Sequence, residues 1–252
     1  MERRTHKDGC YDFLTGIPAF SSGVCAHEGF EIVRAVFEQP LPWKAGFDRV
    51  ERELDAQSIS HASLCSVELR CPEPYSADGF DAFNAFYVER LVAMGVFESG
   101  SDNPVGRTNV APIGFPVAEQ CVYAFSYVRP ATTDRAISFV IAGGGEVRGA
   151  KIGPDTIVSY SDVSGAGMTR KATFVLDVME KRLTGLDLSW GDVRQINVYT
   201  KHPVDGVVSG LVKDRVGSAF VHGVHRFHSA PPVEAIEFEM DVKGATWEVA
   251  LS

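Results

Sequence analysis

The stretch FDRVEREL, residues 47–54, decides the fold, because its apolar side chains recur with the period of a helix. Phe47, Val50 and Leu54 are spaced i, i+3 and i+7, which places them on one face of an α-helix. Sliding the chain against itself by 129 residues aligns this stretch with LDVMEKRL, residues 176–183, without a gap. The second stretch has the same apolar spacing, so the sequence predicts the same amphipathic helix twice.

The match continues from the helix into a segment of alternating apolar residues. At the same offset, the alternation in residues 64–69 aligns with that in residues 193–198, and such alternation predicts a strand. A second apolar helical stripe follows in each half, at 80–91 and at 204–212. Each half also has an opening and a closing run of strand-forming residues: 30–37, 121–125, 137–142 and 235–240. This order predicts an α+β fold, in which a mixed sheet has helices packed on one face, as a tandem duplication.

A polar stretch at residues 129–134 separates the two halves, and its proline would end the preceding strand. We therefore predict a boundary near Thr132, with a first domain copy at 1–131 and a second at 132–252. A single domain, with the two halves edge to edge in one large mixed sheet, predicts the same repeat and stays open as an alternative.

The charge balance excludes some classes of partner. The chain has 24 Lys and Arg against 33 Asp and Glu, a net charge of −9, which disfavours general attraction to nucleic acid or anionic lipid. No apolar run reaches the ~20 residues that span a bilayer, and the first residues lead into no signal-peptide core. The five cysteines contain no CxxC pair and indicate reduced thiols. We expect a cytoplasmic protein that binds neither nucleic acid nor membrane.

Two further motifs favour structural roles over chemical ones. The run 143–145 is three glycines, but no Walker lysine follows it and no dinucleotide fingerprint is completed, so it predicts a tight turn. His222, His225 and His228 would suit zinc in a helical turn, yet a glycine and an arginine interrupt them. We therefore predict no metal site and no cofactor.

Two arginines are stronger candidates for a binding site. Arg107 lies in the segment between the second predicted helix and the last strand of the first half, and Arg226 occupies the comparable segment of the second half. A guanidinium offers a planar pair of donors to a carboxylate, and such bonds contribute about 1.5–3 kcal/mol each when water is excluded. Their recurrence at matching places predicts a site for a small carboxylate.

With the repeat laid out, each half resembles the Rid (YjgF-like) family of enamine/imine deaminases. In the first half the resemblance covers residues 46–54, 62–69, 83–87, 106–108 and the closing strand; in the second half it covers residues 188–199 and 233–239. These segments span most of the chain, and their order and spacing carry the resemblance more than any single motif does.

The resemblance implies a chorismate-mutase-like domain, repeated in tandem, that assembles as a homotrimer with sites in the clefts between subunits. It implies hydrolysis of enamines and imines of amino acids to 2-oxo acids and ammonia. The arginine that holds the substrate carboxylate in that family corresponds to Arg107 and Arg226, and the catalytic glutamate that positions water corresponds to Glu237. In the first half the matching position falls near residue 121, and Glu119 is displaced from it by two or three residues.

Other interpretations stay open. The enzyme could be specialised for an unsaturated amino-dicarboxylate, such as an aminomuconate from aromatic ring cleavage, and a second positive group in the cleft would favour that substrate. The chain could instead be a non-catalytic module that binds a small carboxylate and regulates other proteins, because a fold does not fix a function.

Overall fold

The computed structural model describes residues 1–132, 137–149, 151–244 and 246–252, with the side chain of Thr246 excepted. Three long helices are α1 (Trp43–Ala56), α2 (Ala77–Ala93) and α3 (Gly165–Gly185). A composite helical segment consists of α4 (Asp205–Val207), a π-helical turn (Val208–Val212), α5 (Lys213–Val216) and a 3₁₀ turn (Gly217–His222). Further 3₁₀ turns cover His61–Ser63 and Trp190–Asp192.

Thirteen strands are assigned within the described residues: β1 (Arg3–His6), β2 (Tyr11–Leu14), β3 (Gly23–Ala26), β4 (Phe30–Pro42), β5 (Leu64–Arg70), β6 (Gly106–Pro112), β7 (Cys121–Pro130), β8 (Phe139–Gly145), β9 (Gln195–Tyr199), β10 (His225–Phe227), β11 (Ser229–Ala230), β12 (Glu239–Lys243) and β13 (Thr246–Leu251). They form two mixed sheets. The seven-stranded sheet has the order β1-β2-β3-β8-β12-β9-β10, and the six-stranded sheet has the order β11-β6-β5-β7-β4-β13.

Each sheet packs its own helices on one face. The apolar stripe of α1 and the apolar face of α2 share a buried cluster with β4, β5 and β7 of the six-stranded sheet. The stripe of α3 shares another with β8, β9 and β12 of the seven-stranded sheet. Phe47, Val50 and Leu54 are fully buried on α1, which confirms the helix predicted from their spacing. The α+β class is confirmed, with helices on one face of each sheet.

The two sheets also contact each other directly. Tyr11, Phe13 and Val24 of the seven-stranded sheet form a buried cluster with Ile32 and Cys65 of the six-stranded sheet. The molecule is therefore layered as helix, sheet, sheet, helix. This differs from the edge-to-edge alternative, in which the two halves would share one sheet.

The strands exchange across the predicted boundary between residues 131 and 132. β3 pairs antiparallel with β8, so β1, β2 and β3 belong to the sheet of the second half. In the other direction, β13 pairs parallel with β4 and belongs to the sheet of the first half. The division into 1–131 and 132–252 stays a prediction, and residues 133–136 of the predicted boundary stretch lie outside the described residues.

A buried polar network ties the two sheets together. Lys243 of β12 contacts Asp241 at 3.0 Å and, across the interface, Glu68 of β5 at 3.4 Å. Thr108 of β6 donates a hydrogen bond to Asp241 at 2.9 Å and accepts one from the backbone N–H of Gly143 at 3.1 Å. Buried charges need such partners, so the network fixes how the sheets lie against each other.

Two local predictions were wrong. The glycines 143–145 form the end of β8 instead of a tight turn. The closing strand predicted at 235–240 begins only at Glu239, because the backbone before it turns at residues 233–235. Within the described ranges, no helix combines the length and apolar character needed to cross a membrane.

Candidate functional site

A cavity of about 530 Å³ opens where the two layers meet. The six-stranded layer contributes Arg107 and Asn109 from β6 and Asn84 from α2. The seven-stranded layer contributes residues 143–145 of β8, Arg182 of α3 and Glu239 of β12. The cavity thus combines polar groups from both halves of the chain with an apolar wall, as small-molecule sites usually do.

Arg107 is a buried cation that forms no ion pair with a described carboxylate, although Glu239 is near enough to interact with its charge. Its guanidinium carbon lies 4.4 Å from the ring centre of Phe20 and 4.8 Å from that of Tyr87, with the rings of Phe80 and Phe83 also close. Its Nη2 donates to Asn84 Oδ1 at 2.7 Å, and its Nη1 has no partner within the described part of the chain. Burial lowers the pKa of Arg107 to about 10, so a bound anion would relieve an uncompensated charge.

Arg182 brings a second guanidinium to the same cavity from the other layer. Its Nη1 donates to the backbone oxygens of Ala142 at 2.8 Å and Gly143 at 3.2 Å. These bonds hold the partly buried side chain against β8 and leave its enclosed Nε without a partner among the described residues. Burial lowers the pKa of Arg182 to about 10 as well. Both guanidinium groups line the cavity, and together they are suited to two separate anionic groups on one ligand.

Glu239 is the buried acid of this cavity, while the second acid that lines it, Asp81, is exposed. Burial and the nearby carboxylate of Asp241 raise the pKa of Glu239, Arg182 and Arg107 act in the opposite direction, and the resulting pKa is about 8. At neutral pH the carboxyl is therefore mostly protonated and can donate a proton, which an ordinary glutamate cannot do. A neutral carboxylic acid beside two cations is suited to protonating a substrate held by its carboxylates.

Gly143 leaves the space in which the Glu239 carboxyl lies. A Cβ at residue 143 would overlap Glu239 Oε1 and approach the Thr108 side chain at 3.2 Å. Glycine inside a strand often marks this kind of close approach. Residues 143–145 thus line the cavity as the end of β8 that carries no side chains.

We expect Gly143→Ala to displace the Glu239 carboxyl and lower kcat by roughly 10- to 100-fold, because small misplacements of a catalytic group are costly. Steady-state kinetics would measure the change. Gly153→Ala is the matched control, since a Cβ at Gly153 meets nothing within 4 Å. Equal kcat values for the two variants would contradict the role given to Gly143.

Of the four residues predicted as site residues, Arg107 lines the cavity and the other three do not. Arg226 is exposed and pairs with Asp205 at 2.6 Å. The carboxylate of Glu237 contacts the imidazole of His202 at 2.7 Å, outside the cavity lining. Glu119 is exposed. The roles predicted for Arg226, Glu237 and Glu119 stay predictions, and this arrangement brings none of them to Arg107.

Sequence reasoning missed Asn84, Arg182 and Glu239. Asn84 left a usable signal, because it is a polar residue within the apolar face of α2. The described residues contain no cluster of three or more histidine, cysteine or acidic side chains that could hold a metal ion. Exposed Lys181 and Asp81 also line the cavity, and its two arginines with the mostly protonated carboxyl of Glu239 match an organic anion better than a cation.

The chain is similar to known proteins in both sequence and fold. Residues 3–249 match the family model described as 2-aminomuconate deaminase CnbZ. The chain is 36% identical over 245 residues to a 2-amino-5-chloromuconate deaminase from Comamonas testosteroni, with 96% of each protein covered. Among solved structures, a chorismatase has a similar fold with a TM-score of 0.52 at 14% identity, covering 89% of this chain and 77% of that one.

Proposed function

This chain belongs to the CnbZ family of 2-aminomuconate deaminases, and from that membership we propose that it deaminates a 2-aminomuconate or a ring-substituted relative. The sequence alone favoured a general imine deaminase and left an aminomuconate deaminase as an alternative. We now propose that alternative as the main interpretation. In either case the enzyme acts on a carbon–nitrogen bond.

The observation that carries the proposal is the pair of guanidinium groups in one cavity. A 2-aminomuconate has a carboxylate at each end of a conjugated six-carbon chain, whereas a simple imino acid has one carboxylate. In the proposed complex Arg107 binds the carboxylate next to the amino-bearing carbon, and Arg182 binds the distant one. The apolar wall that includes Phe80, Val233 and Ile236 would contact the conjugated chain between them.

Glu239 supplies the proton chemistry in this proposal. Its carboxyl donates a proton to the carbon beside the amino-bearing carbon, which converts the enamine into an iminium. The resulting carboxylate takes a proton from water as the water oxygen attacks the iminium carbon, giving a carbinolamine. Glu239 then protonates the nitrogen, ammonia leaves, and the hydroxyl returns its proton to Glu239 as the 2-oxo group forms. Water and enamine are consumed, and oxo acid and ammonia are produced.

We expect Arg182→Met to separate dicarboxylate from monocarboxylate substrates. Loss of one buried charge-assisted interaction should lower kcat/KM for 2-aminomuconate by about 10- to 150-fold. The rate with 2-iminopropionate, which has one carboxylate, should change little. Ammonia release from both substrates measures the difference, and the wild type should prefer 2-aminomuconate.

The same assay distinguishes the remaining interpretations. A wild type that prefers 2-iminopropionate would favour the general imine deaminase. No ammonia from either substrate, with saturable binding of muconate, would favour the non-catalytic carboxylate-binding module. Similar losses on both substrates in Arg182→Met would contradict the assignment of Arg182 to the distant carboxylate.

We also propose that the chain arose by duplication of a Rid-like domain and assembles as a homotrimer in the cytoplasm. In support of duplication, a helix, a 3₁₀ turn and a strand follow one another in both halves, as α1, His61–Ser63 and β5 and as α3, Trp190–Asp192 and β9. Light scattering on the purified protein tests the trimer by its mass.

A further inference from the structure

The interior contains an ion pair that the proposed reaction does not use. Lys171 of α3 and Glu146, which directly follows β8, are both fully buried, and their Nζ and Oε1 atoms are 3.1 Å apart. Lys171 also donates to the backbone oxygen of Val158 at 3.0 Å. A buried ion pair contributes little net stability compared with apolar side chains of similar size. Its presence beside the site therefore calls for a role other than stability.

Glu146 contacts the backbone directly before the acid of the cavity. Its Oε1 accepts a hydrogen bond from the N–H of Glu237 at 2.7 Å, and its Oε2 accepts one from the N–H of Phe238 at 3.1 Å. The next residue, Glu239, is the first of β12. Residues 236–238 lie outside the strands, so these two bonds, together with the one that Glu237 O accepts from Thr200 Oγ1 at 2.7 Å, define the path of the backbone into the sheet.

We propose that Glu146 is a positioning residue, which anchors the backbone of Glu237 and Phe238 through both carboxylate oxygens and thereby holds the Glu239 carboxyl against Gly143. Lys171 keeps Glu146 in the orientation that reaches both N–H groups. The inference rests on the role proposed for Glu239.

Glu146 also belongs to the charges that face Glu239. Asp241 of the same strand and Glu146 favour the protonated form of Glu239, while Arg182 of α3 and Arg107 of β6 favour the ionised form. The Cys71 thiol, after β5, is a further titratable neighbour. Replacing Glu146 by an uncharged residue removes one of the two negative neighbours, so the pKa of Glu239 should fall.

Glu146→Gln tests both effects. The glutamine side chain has one oxygen acceptor and one NH₂ donor, so it can accept from only one of the two backbone N–H groups. We expect kcat for 2-aminomuconate to fall by roughly 10- to 100-fold, with KM almost unchanged because the two arginines stay in place. The titration of Glu239, followed by NMR of the protein labelled with ¹³C at glutamate carboxyls and assigned with Glu239→Gln, should shift to lower pH.

The controls keep the outcome decisive. Glu234→Gln removes one exposed carboxylate from the same segment and should leave kcat and the Glu239 titration unchanged. If Glu146→Gln does not fold because Lys171 is left unpaired, the double variant Glu146→Gln/Lys171→Met lacks the stranded cation and should show the same loss of kcat. A folded variant with wild-type kcat and an unmoved Glu239 titration overturns the inference. An inactive wild type overturns the proposed function instead, and the NMR titration still tests Glu146.

Discussion

Arg107→Met should lower kcat/KM for 2-aminomuconate by about 30- to 5,000-fold, the cost of removing one partner of a buried, hydrogen-bonded charge pair. We expect a value towards the upper end, because the aromatic rings around Arg107 exclude water that could otherwise solvate the substrate carboxylate. Methionine is apolar and adaptable enough to fill the space between those rings. The variant should therefore fold, and its thermal midpoint should equal or exceed that of the wild type, since a buried cation without a partner is lost.

Steady-state kinetics and thermal unfolding measure the two effects together. Arg170→Ala is the control, because Arg170 is an exposed arginine paired with Asp162 on the surface. It should leave both activity and stability nearly unchanged. An Arg107→Met enzyme that keeps wild-type kcat/KM would show that the substrate carboxylate binds elsewhere.

Glu239→Gln should lower kcat by about 100- to 10,000-fold, the usual contribution of a general acid–base group. Glutamine keeps the size and part of the hydrogen bonding of a protonated carboxyl, so KM should change little. The wild-type kcat should be constant below pH 8 and fall above it, because the proton-donating form is lost near the pKa of about 8. The residual activity of Glu239→Gln should lack that alkaline decline.

Glu239→Gln should lower the activity of the protein but raise its thermal stability. The pKa of Glu239 is raised in the folded chain, so the folded state binds more protons than the unfolded state between about 4.5 and 8. Stability is therefore lost as pH rises through this range, by up to about 1.4 kcal/mol per pH unit. Glu239→Gln removes this loss and should unfold at a higher temperature than the wild type at pH 8, with a smaller difference at pH 5. A wild-type advantage at pH 8 would contradict the buried, protonated carboxyl.

The helices α1 and α3 were predictable because each has a clear apolar face. The stripe Leu176, Met179 and Leu183 is fully or almost fully buried on α3, as its spacing predicted. The pairing of strands could not be predicted in the same way, because the sequence around β1 and β13 does not indicate which sheet each strand joins. Such contacts join residues more than 100 positions apart, and local patterns do not encode them.

The site was half predictable. The position of Arg107 in the repeat predicted it as a site residue. The same comparison of the two halves predicted Arg226 as the second binding arginine, because it lies in the matching segment of the second half. The second cation is Arg182, and its equivalent at the 129-residue offset is Glu53, so the repeat hid it. On its own, Arg182 resembles an ordinary basic residue in the last turn of a helix.

The acid was missed for a reason of register. Glu237, Glu239 and Asp241 alternate in the sequence and offer three carboxylates with the same spacing. In a strand all three would lie on one face, so their spacing does not show which of them is level with the cavity; in the structure Glu239, the first residue of β12, lines it. Matching two copies predicts two similar sites, whereas the cavity that holds Arg107 combines different residues from the two halves.

The exchange of β13 and of β1–β3 between the layers makes the halves mechanically interlocked. Neither layer can open without stripping an edge strand from the other, so heat or denaturant should melt the whole chain in one cooperative event. A ligand that binds Arg107 of one layer and Arg182 of the other would further stabilise the contact between the two layers. A substitution that destabilises one half, even far from the cavity, should therefore also destabilise the part of the cavity that the other half contributes.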